Sequence, residues 1–197
     1  MLMIKELAAR TRSYRRFDES DRIPADVLED LVKTARNVAS AANRQPLKYV
    51  TVSSEKACAK LFKTCSWAAQ LTDWDGPEPG ERPTGYIVVL KDTELSMNDI
   101  FSAWDMGIAI QTIMLAAVEQ GYGGCFIGAF KKKKCAKVIG VDADRYSPQI
   151  VIALGKPAED CRLEPCPEGG STLYWRDSDD VHHVPKRGLN EVLLARL

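Results

Sequence analysis

Residues 101–120 constrain the fold more than any other segment of the chain. Trp104, Met106, Ile108, Ile110, Ile113, Met114, Leu115 and Val118 place apolar side chains on nearly every side of one helix. A helix of that kind needs cover all round, from a sheet and other helices or from a second subunit. The run from position 100 to 118 approaches the length of a bilayer span, but it contains Asp105, Gln111 and Thr112. It is therefore read as a buried helix. A chain of 197 residues supplies enough material for one domain with a sizeable core.

Charge narrows the partners. Lys+Arg and Asp+Glu balance at 27 each, so no net field draws the chain to nucleic acid or to a membrane surface, and any basic cluster is a local device. The start, Met1-Leu2-Met3-Ile4-Lys5-Glu6, lacks the apolar core of a signal peptide, which gives a cytoplasmic expectation. Six cysteines (Cys58, Cys65, Cys125, Cys135, Cys161 and Cys166) form no C-x-x-C pair, and His182 and His183 are the only histidines. Free thiols are expected rather than a zinc site, with Cys125 in the core.

The rest of the chain alternates helices and strands. Helices are expected over 1–9, 24–38, 55–65 and 131–139, with Pro24 in a first turn and Val27, Leu28, Leu31, Val32 and Ala35 on one face. Strand composition marks 47–53, 85–90, 125–127 and 149–154. Residues 67–84 mix Trp67 and Trp74 with Pro and Gly and read as a packed surface loop, a candidate lid. Residues after 158 read as an extended tail with a last short helix over 189–194. No G-x-G-x-x-G follows a strand, so an α+β sandwich with a mostly antiparallel sheet fits better than a doubly wound nucleotide fold.

Three polar clusters carry chemistry. Arg12 and Arg15 with Ser13 between them would point the same way on a helical turn, and guanidinium forks suit phosphate. Lys186 and Arg187 after Pro185 offer a second pair of cations. Each pair alone reads as solvated surface; together, in a charge-balanced chain, they read as an anion site. Ser40, Asn43 and Gln45 form an amide-rich loop closed by Pro46, whose donors and acceptors match the edge of a pyrimidine-like ring. A helix end and turn accounts equally for Asn43. Gly123, Gly124, Gly128 and Ala129 would let backbone N–H groups approach a ligand, or would serve tight strand packing. Lys131 to Lys134 read as a solvated helical turn, and Asp105 as a partner for a cation or a cap for a loop. G-x-S-x-G, H-E-x-x-H and a carboxylate pair in acid–base context are all missing, which suits chemistry carried by a cofactor.

These clusters resemble the FMN-dependent nitroreductase family. The resemblance runs from Thr11-Arg12-Ser13-Tyr14-Arg15-Arg16-Phe17 through Ser40-Ala41-Ala42-Asn43-Arg44-Gln45-Pro46 and Gly121-Tyr122-Gly123-Gly124-Cys125-Phe126-Ile127-Gly128. It continues through Ile152-Ala153-Leu154-Gly155-Lys156-Pro157-Ala158-Glu159 to Val184-Pro185-Lys186-Arg187. It implies an α+β nitroreductase-like sandwich flanked by helices. It also implies an intertwined homodimer, built from one FMN-binding domain over 1–197 whose extension from about 159 reaches across the dimer.

By that resemblance Arg12, Ser13 and Arg15 hold the phosphate and the pyrimidine edge of FMN, and Lys186 and Arg187 complete the clamp. Ser40, Asn43 and Gln45 approach the flavin from the partner subunit, and Gly128 and Ala129 lie against its central ring. The implied activity passes hydride from NAD(P)H through FMN N5 to a nitroaromatic, quinone or similar small conjugated acceptor in a ping-pong cycle, with no catalytic side chain. The alternatives are other flavin chemistry, such as the reductive dehalogenation or flavin breakdown known among relatives, and a non-catalytic FMN-binding protein. Thr11 stands where many members carry Arg, and Ala39 where many carry Pro; the segment at Gly128 lacks an acidic residue found in some.

Overall fold

An apolar strand covered on both faces organises the structure. The computed structural model describes residues 3–68, 70–71 and 73–197. Along the chain run α1 (Ile4–Arg10), β1 (Phe17–Asp18), α2 (Ala25–Ala35), a 3-10 turn (Ala41–Asn43), β2 (Leu47–Val52), α3 (Glu55–Phe62) and β3 (Gly85–Asp92). They are followed by α4 (Asp99–Glu119), β4 (Gly123–Ile127), α5 (Lys132–Ile139), β5 (Tyr146–Pro157), β6 (Cys161–Pro165), β7 (Trp175–Arg176), β8 (His182–Lys186) and α6 (Leu189–Val192). Met1 and Leu2 of the expected first helix, and Ala69 and Thr72 of the candidate lid, lie outside the described residues.

The main sheet is antiparallel throughout, as expected. β3 pairs with β2 on one edge and β5 on the other, and the far edge of β5 takes both β4 and β1. Val88 stands between Val50 and Val151, and Cys125 opposite Ala153. The register slips between Val89 and Leu90, which face Ile150 and Pro148. Pro148 has no N–H to give the ladder, so the extra residue Gln149 is absorbed there as a bulge.

Alternation along β3 builds two cores. Ile87 and Val89 point to one side, where Leu28 and Leu31 of α2 and Ile113 and Met114 of α4 pack on them. Tyr86, Val88 and Leu90 point to the other, against Leu61 of α3 and Cys135 of α5. Each such aliphatic side chain contributes about 1.5–3 kcal/mol of burial. The continuous apolar run of β3 is thus the mark of a strand with no solvent face.

α4 begins on Asn98, whose side chain accepts the Phe101 N–H at 2.9 Å. Its inner face, including Ala109, Ile113, Ala117 and the carboxylate of Asp105, is buried. It is the one helix among the described residues long and apolar enough to cross a bilayer, yet that face is packed on the sheet and α2. The cover expected on all sides is incomplete within one chain: Ile100, Trp104 and Ile108, each four residues from the next, remain 63%, 59% and 44% exposed.

Two further expectations are corrected. The segment after α1 is extended, not helical: Ser13 bridges Gly124, and the Tyr14 N–H donates to the Gly124 carbonyl at 3.0 Å. A Cβ on Gly124 would stand 2.5 Å from the Ala153 carbonyl oxygen, so this close approach needs glycine. The tail is not merely extended either. β8 lies between β6, parallel to it, and β7, antiparallel. The tail is fastened to the N-terminal segment by Glu159, whose buried carboxylate accepts the backbone N–H groups of Arg15 and Arg16 and Nη2 of Arg176 at 2.8 Å. All six cysteines are free.

Candidate functional site

A cavity of about 300 Å³ lies where the 11–16 segment, α4, β4 and the tail meet. Arg12, Ser13, Arg15 and Lys186 all line it, so two of the polar clusters separated by about the whole chain converge. Convergence comes from the bridge at Ser13 and from β8, not from the helical turn expected at Arg12.

The cations are held differently. Arg12 donates through Nη2 to the Ala8 carbonyl at 2.7 Å, while its buried Nε has no partner among the described residues. Burial lowers its pKa, without costing a guanidinium its charge at neutral pH. Arg15 is buried, lies 4.8 Å over the Tyr174 ring, and approaches Nε2 of His182 through Nη1 at 3.2 Å. Burial, and next the Arg15 charge, push the His182 pKa down to about 4. The ring is therefore neutral at pH 7: Nε2 accepts from Arg15, and Nδ1 carries the proton, unpartnered among the described residues. Arg187 does not join them; its Nη1 pairs with Glu191 at 3.1 Å.

The amide loop sits on a second cavity of about 310 Å³, lined by Ser40, Gln45, Tyr49 and Asp105 among others. Asp105 caps the loop, one of the two roles expected for it. Its Oδ2 accepts from Ser40 Oγ at 2.6 Å and its Oδ1 from the Ala41 N–H at 2.9 Å; Ser40 Oγ in turn accepts the Gln45 N–H at 2.9 Å. Burial, and next the Asp105 charge, push the Tyr49 phenol up to about 12.

Ala42, Asn43 and Gln45 have φ of 49°, 52° and 51°, left-handed positions that cost on the order of 1–3 kcal/mol each. Gln45 Nε2 donates back to Asn43 Oδ1 at 3.1 Å, leaving the Asn43 side chain exposed at the tip. Gly128 and Ala129 are exposed just beyond β4 and line neither cavity.

His182, Tyr174, Gln111 and Phe126 also line the first cavity and were missed in the sequence. A signal existed for some of them. His182, Val184 and Lys186 alternate along β8 and all face the cavity, and Phe126 is an exposed aromatic between buried Cys125 and Ile127. Strand period shows both patterns once the strands are known. Of the lid tryptophans, Trp67 is core against Phe62, with ring centroids 5.6 Å apart, and Trp74 lies 4.4 Å under the Arg176 guanidinium.

His183, on the other face of β8, is stacked on Trp175 at 4.9 Å. Its Nε2 meets Asp177 at 2.9 Å and its Nδ1 meets Glu164 at 2.7 Å. The hydrogen bonds to Asp177 and then Glu164 raise its pKa. Since the folded value lies above the unfolded one of about 6.5, the stabilisation is full below pH ~6.5 and is lost as pH rises through the folded value. Tail order, followed by Trp175 fluorescence on heating, will fall over that window, and His183→Gln will flatten the dependence. An unchanged profile in that variant removes the clamp.

The Nitroreductase family model matches residues 8–156, and the chain belongs to that family. YdgI of Bacillus subtilis strain 168, named as an NAD(P)H nitroreductase, is 23% identical over 185 residues, covering 79% of this chain and 88% of its own. Among solved structures, a protein named as a nitroreductase in complex with FMN from Desulfovibrio desulfuricans superposes with a TM-score of 0.68 at 20% identity, covering 100% of this chain and 98% of that one. A second such FMN complex, from Exiguobacterium sibiricum, gives 0.64 at 20% identity, over 81% and 90%. Both are likenesses of fold.

Proposed function

We propose that the chain is an FMN-dependent NAD(P)H oxidoreductase, a soluble homodimer with its flavin sites at the subunit interface. The observation that carries this reading is the convergence of Arg12, Ser13, Arg15 and Lys186 on one cavity, where two buried donors of lining residues, Arg12 Nε and His182 Nδ1, have no partner among the described residues. The donor set fits the cofactor: charged forks for a phosphate, a hydroxyl and a neutral ring N–H for acceptor atoms of a flavin.

Bound FMN supplies two-electron transfer from NAD(P)H to a nitroaromatic, quinone or similar conjugated acceptor, the two substrates using one site in turn. Arg12 and Lys186 bind the phosphate. Arg15 is held by His182 at its guanidinium and by Glu159 at its backbone, so its charge is fixed rather than mobile and stabilises negative charge without reorganising. The exposed stripe Ile100, Trp104 and Ile108 meets the partner, which brings the Ser40–Gln45 loop of one protomer toward the cavity of the other. No side chain acts as acid, base or nucleophile.

Anaerobic titration tests the reading. The purified protein will be yellow, and NADH or NADPH will bleach its flavin band, with colour returning on addition of a quinone. Colourless protein that does not retain added FMN overturns the proposal.

A further inference from the structure

The lysines at 131–134 do not stand alone on the surface. α3 and α5 lie side by side over the second core, to which they contribute Leu61 and Cys135. The end of α3 is tied to the start of α5. The Lys131 N–H donates to the Thr64 carbonyl and the Ser66 N–H to the Ala129 carbonyl, each at 2.8 Å, and Cys65 bridges Phe130. The outer faces of the two helices therefore form one broad surface turned away from the sheet.

That surface is made of lysine. Lys56, Lys60 and Lys63 share a face of α3 and its C-cap at helical spacing. With Lys131, Lys132, Lys133, Lys134 and Lys137 they make eight, all exposed. Among the described residues Lys91 is the one lysine paired with an acid, and none of these eight is. Segments 53–66 and 128–141 contain one acid, Glu55, and no arginine. The chain as a whole is neutral, so the seven excess positive charges gathered here are balanced by seven negative ones elsewhere. Such a separation orients the molecule in the field of an anionic surface.

The cluster does not serve the chain's own stability. Three of the lysines occupy the first turn of α5 and a fourth its N-cap, with no acidic residue in that turn. This is the positive end of the helix dipole, where cations are unfavourable. A second copy of the same face would repel it across a twofold axis, so the surface is not a contact between protomers.

Its composition selects the partner. The exposed large apolar side chains all lie outside 53–66 and 128–141. A stable protein interface needs aromatic or apolar anchors of that kind. Nucleic-acid sites draw on arginine forks and stacking aromatics, and this face exposes neither. A lipid surface asks only for positive charge spread over a broad face. We propose that the α3–α5 face docks the protein peripherally on an anionic bilayer, its ammonium groups among the lipid phosphates and no side chain entering the hydrocarbon. The docking face is independent of the flavin site.

The test is co-sedimentation of the purified protein with vesicles of mixed phosphatidylglycerol and phosphatidylcholine, and with vesicles of phosphatidylcholine alone. Binding to the anionic vesicles is expected at about 0.05 M salt and its loss at about 0.5 M, where exposed charges are screened. The neutral vesicles will not bind. Withdrawing one lysine from an anionic surface weakens binding about fivefold, so Lys132→Gln/Lys133→Gln/Lys134→Gln/Lys137→Gln will weaken it roughly a hundredfold or more. These side chains are exposed and unpaired, so the variant will fold, which circular dichroism checks. Lys5→Gln/Arg10→Gln/Lys33→Gln/Arg36→Gln removes the same charge elsewhere and will lose far less. Failure to bind the anionic vesicles, binding that survives the first variant, or equal losses in the two variants overturns the proposal. Duplex DNA bound as tightly as the vesicles at the same phosphate concentration also overturns it, and reassigns the face to nucleic acid.

Discussion

The variant Arg12→Ala/Lys186→Ala will fold, dimerise and purify without colour. Each side chain offers a charge-assisted hydrogen bond to a phosphate, worth about 1.5–3 kcal/mol. Losing both weakens FMN by roughly a hundredfold to ten-thousandfold, enough to empty the site during purification. The fold does not depend on them. Arg12 is tied to its own helix end at the Ala8 carbonyl, and Lys186 is exposed at the end of β8. Absorbance against protein concentration reads flavin content, and circular dichroism reads the fold. A folded double variant with full flavin occupancy would falsify the phosphate assignment.

Trp104→Asp will convert the dimer to monomer. The Trp104 side chain lies 59% exposed in the middle of the apolar stripe on the outer face of α4. In a twofold dimer the substitution removes one large anchor and introduces one carboxylate on each side. An anchor of this kind is worth about 2 kcal/mol or more, so two copies raise the dissociation constant by about a thousandfold.

The next residue, Asp105, points inward and holds Ser40 and Ala41. If α4 forms the proposed subunit contact, one turn of it serves both that contact and the loop proposed for the partner's flavin, and the monomer will lose flavin as well. Sedimentation velocity measures the first effect and absorbance the second. A dimer that survives Trp104→Asp at micromolar concentration takes α4 out of the interface.

What could be read from the sequence depended on whether the signal was local. Helical spacing located the apolar face of α2 through Leu28, Leu31 and Ala35, all buried. Unbroken apolarity located β3. The chain ends were harder, because their structure is made by distant partners. Residues 11–16 have no intrinsic preference strong enough to show that Ser13 joins Gly124, and β6, β7 and β8 are short strands stabilised by one another.

The site divided in the same way. Arg12, Ser13, Arg15 and Lys186 were recognisable by chemistry, whereas His182 gained meaning only once β8 set its direction. Arg187 beside Lys186 looked equivalent, but it falls just past the end of β8 and pairs with Glu191 instead.

The position of β5 also sets the order in which the molecule can be made. β2 and β3 can pair as soon as both have been synthesised, but β1 and β4 border only β5 in the sheet, and β5 ends at Pro157. Until then the apolar run of β3 offers an open edge, and α4 has only part of the surface it will pack on. Long-range pairing of this kind is slow and exposes sticky intermediates. Damage to β5 therefore acts on yield from the ribosome before it acts on the stability of the finished enzyme.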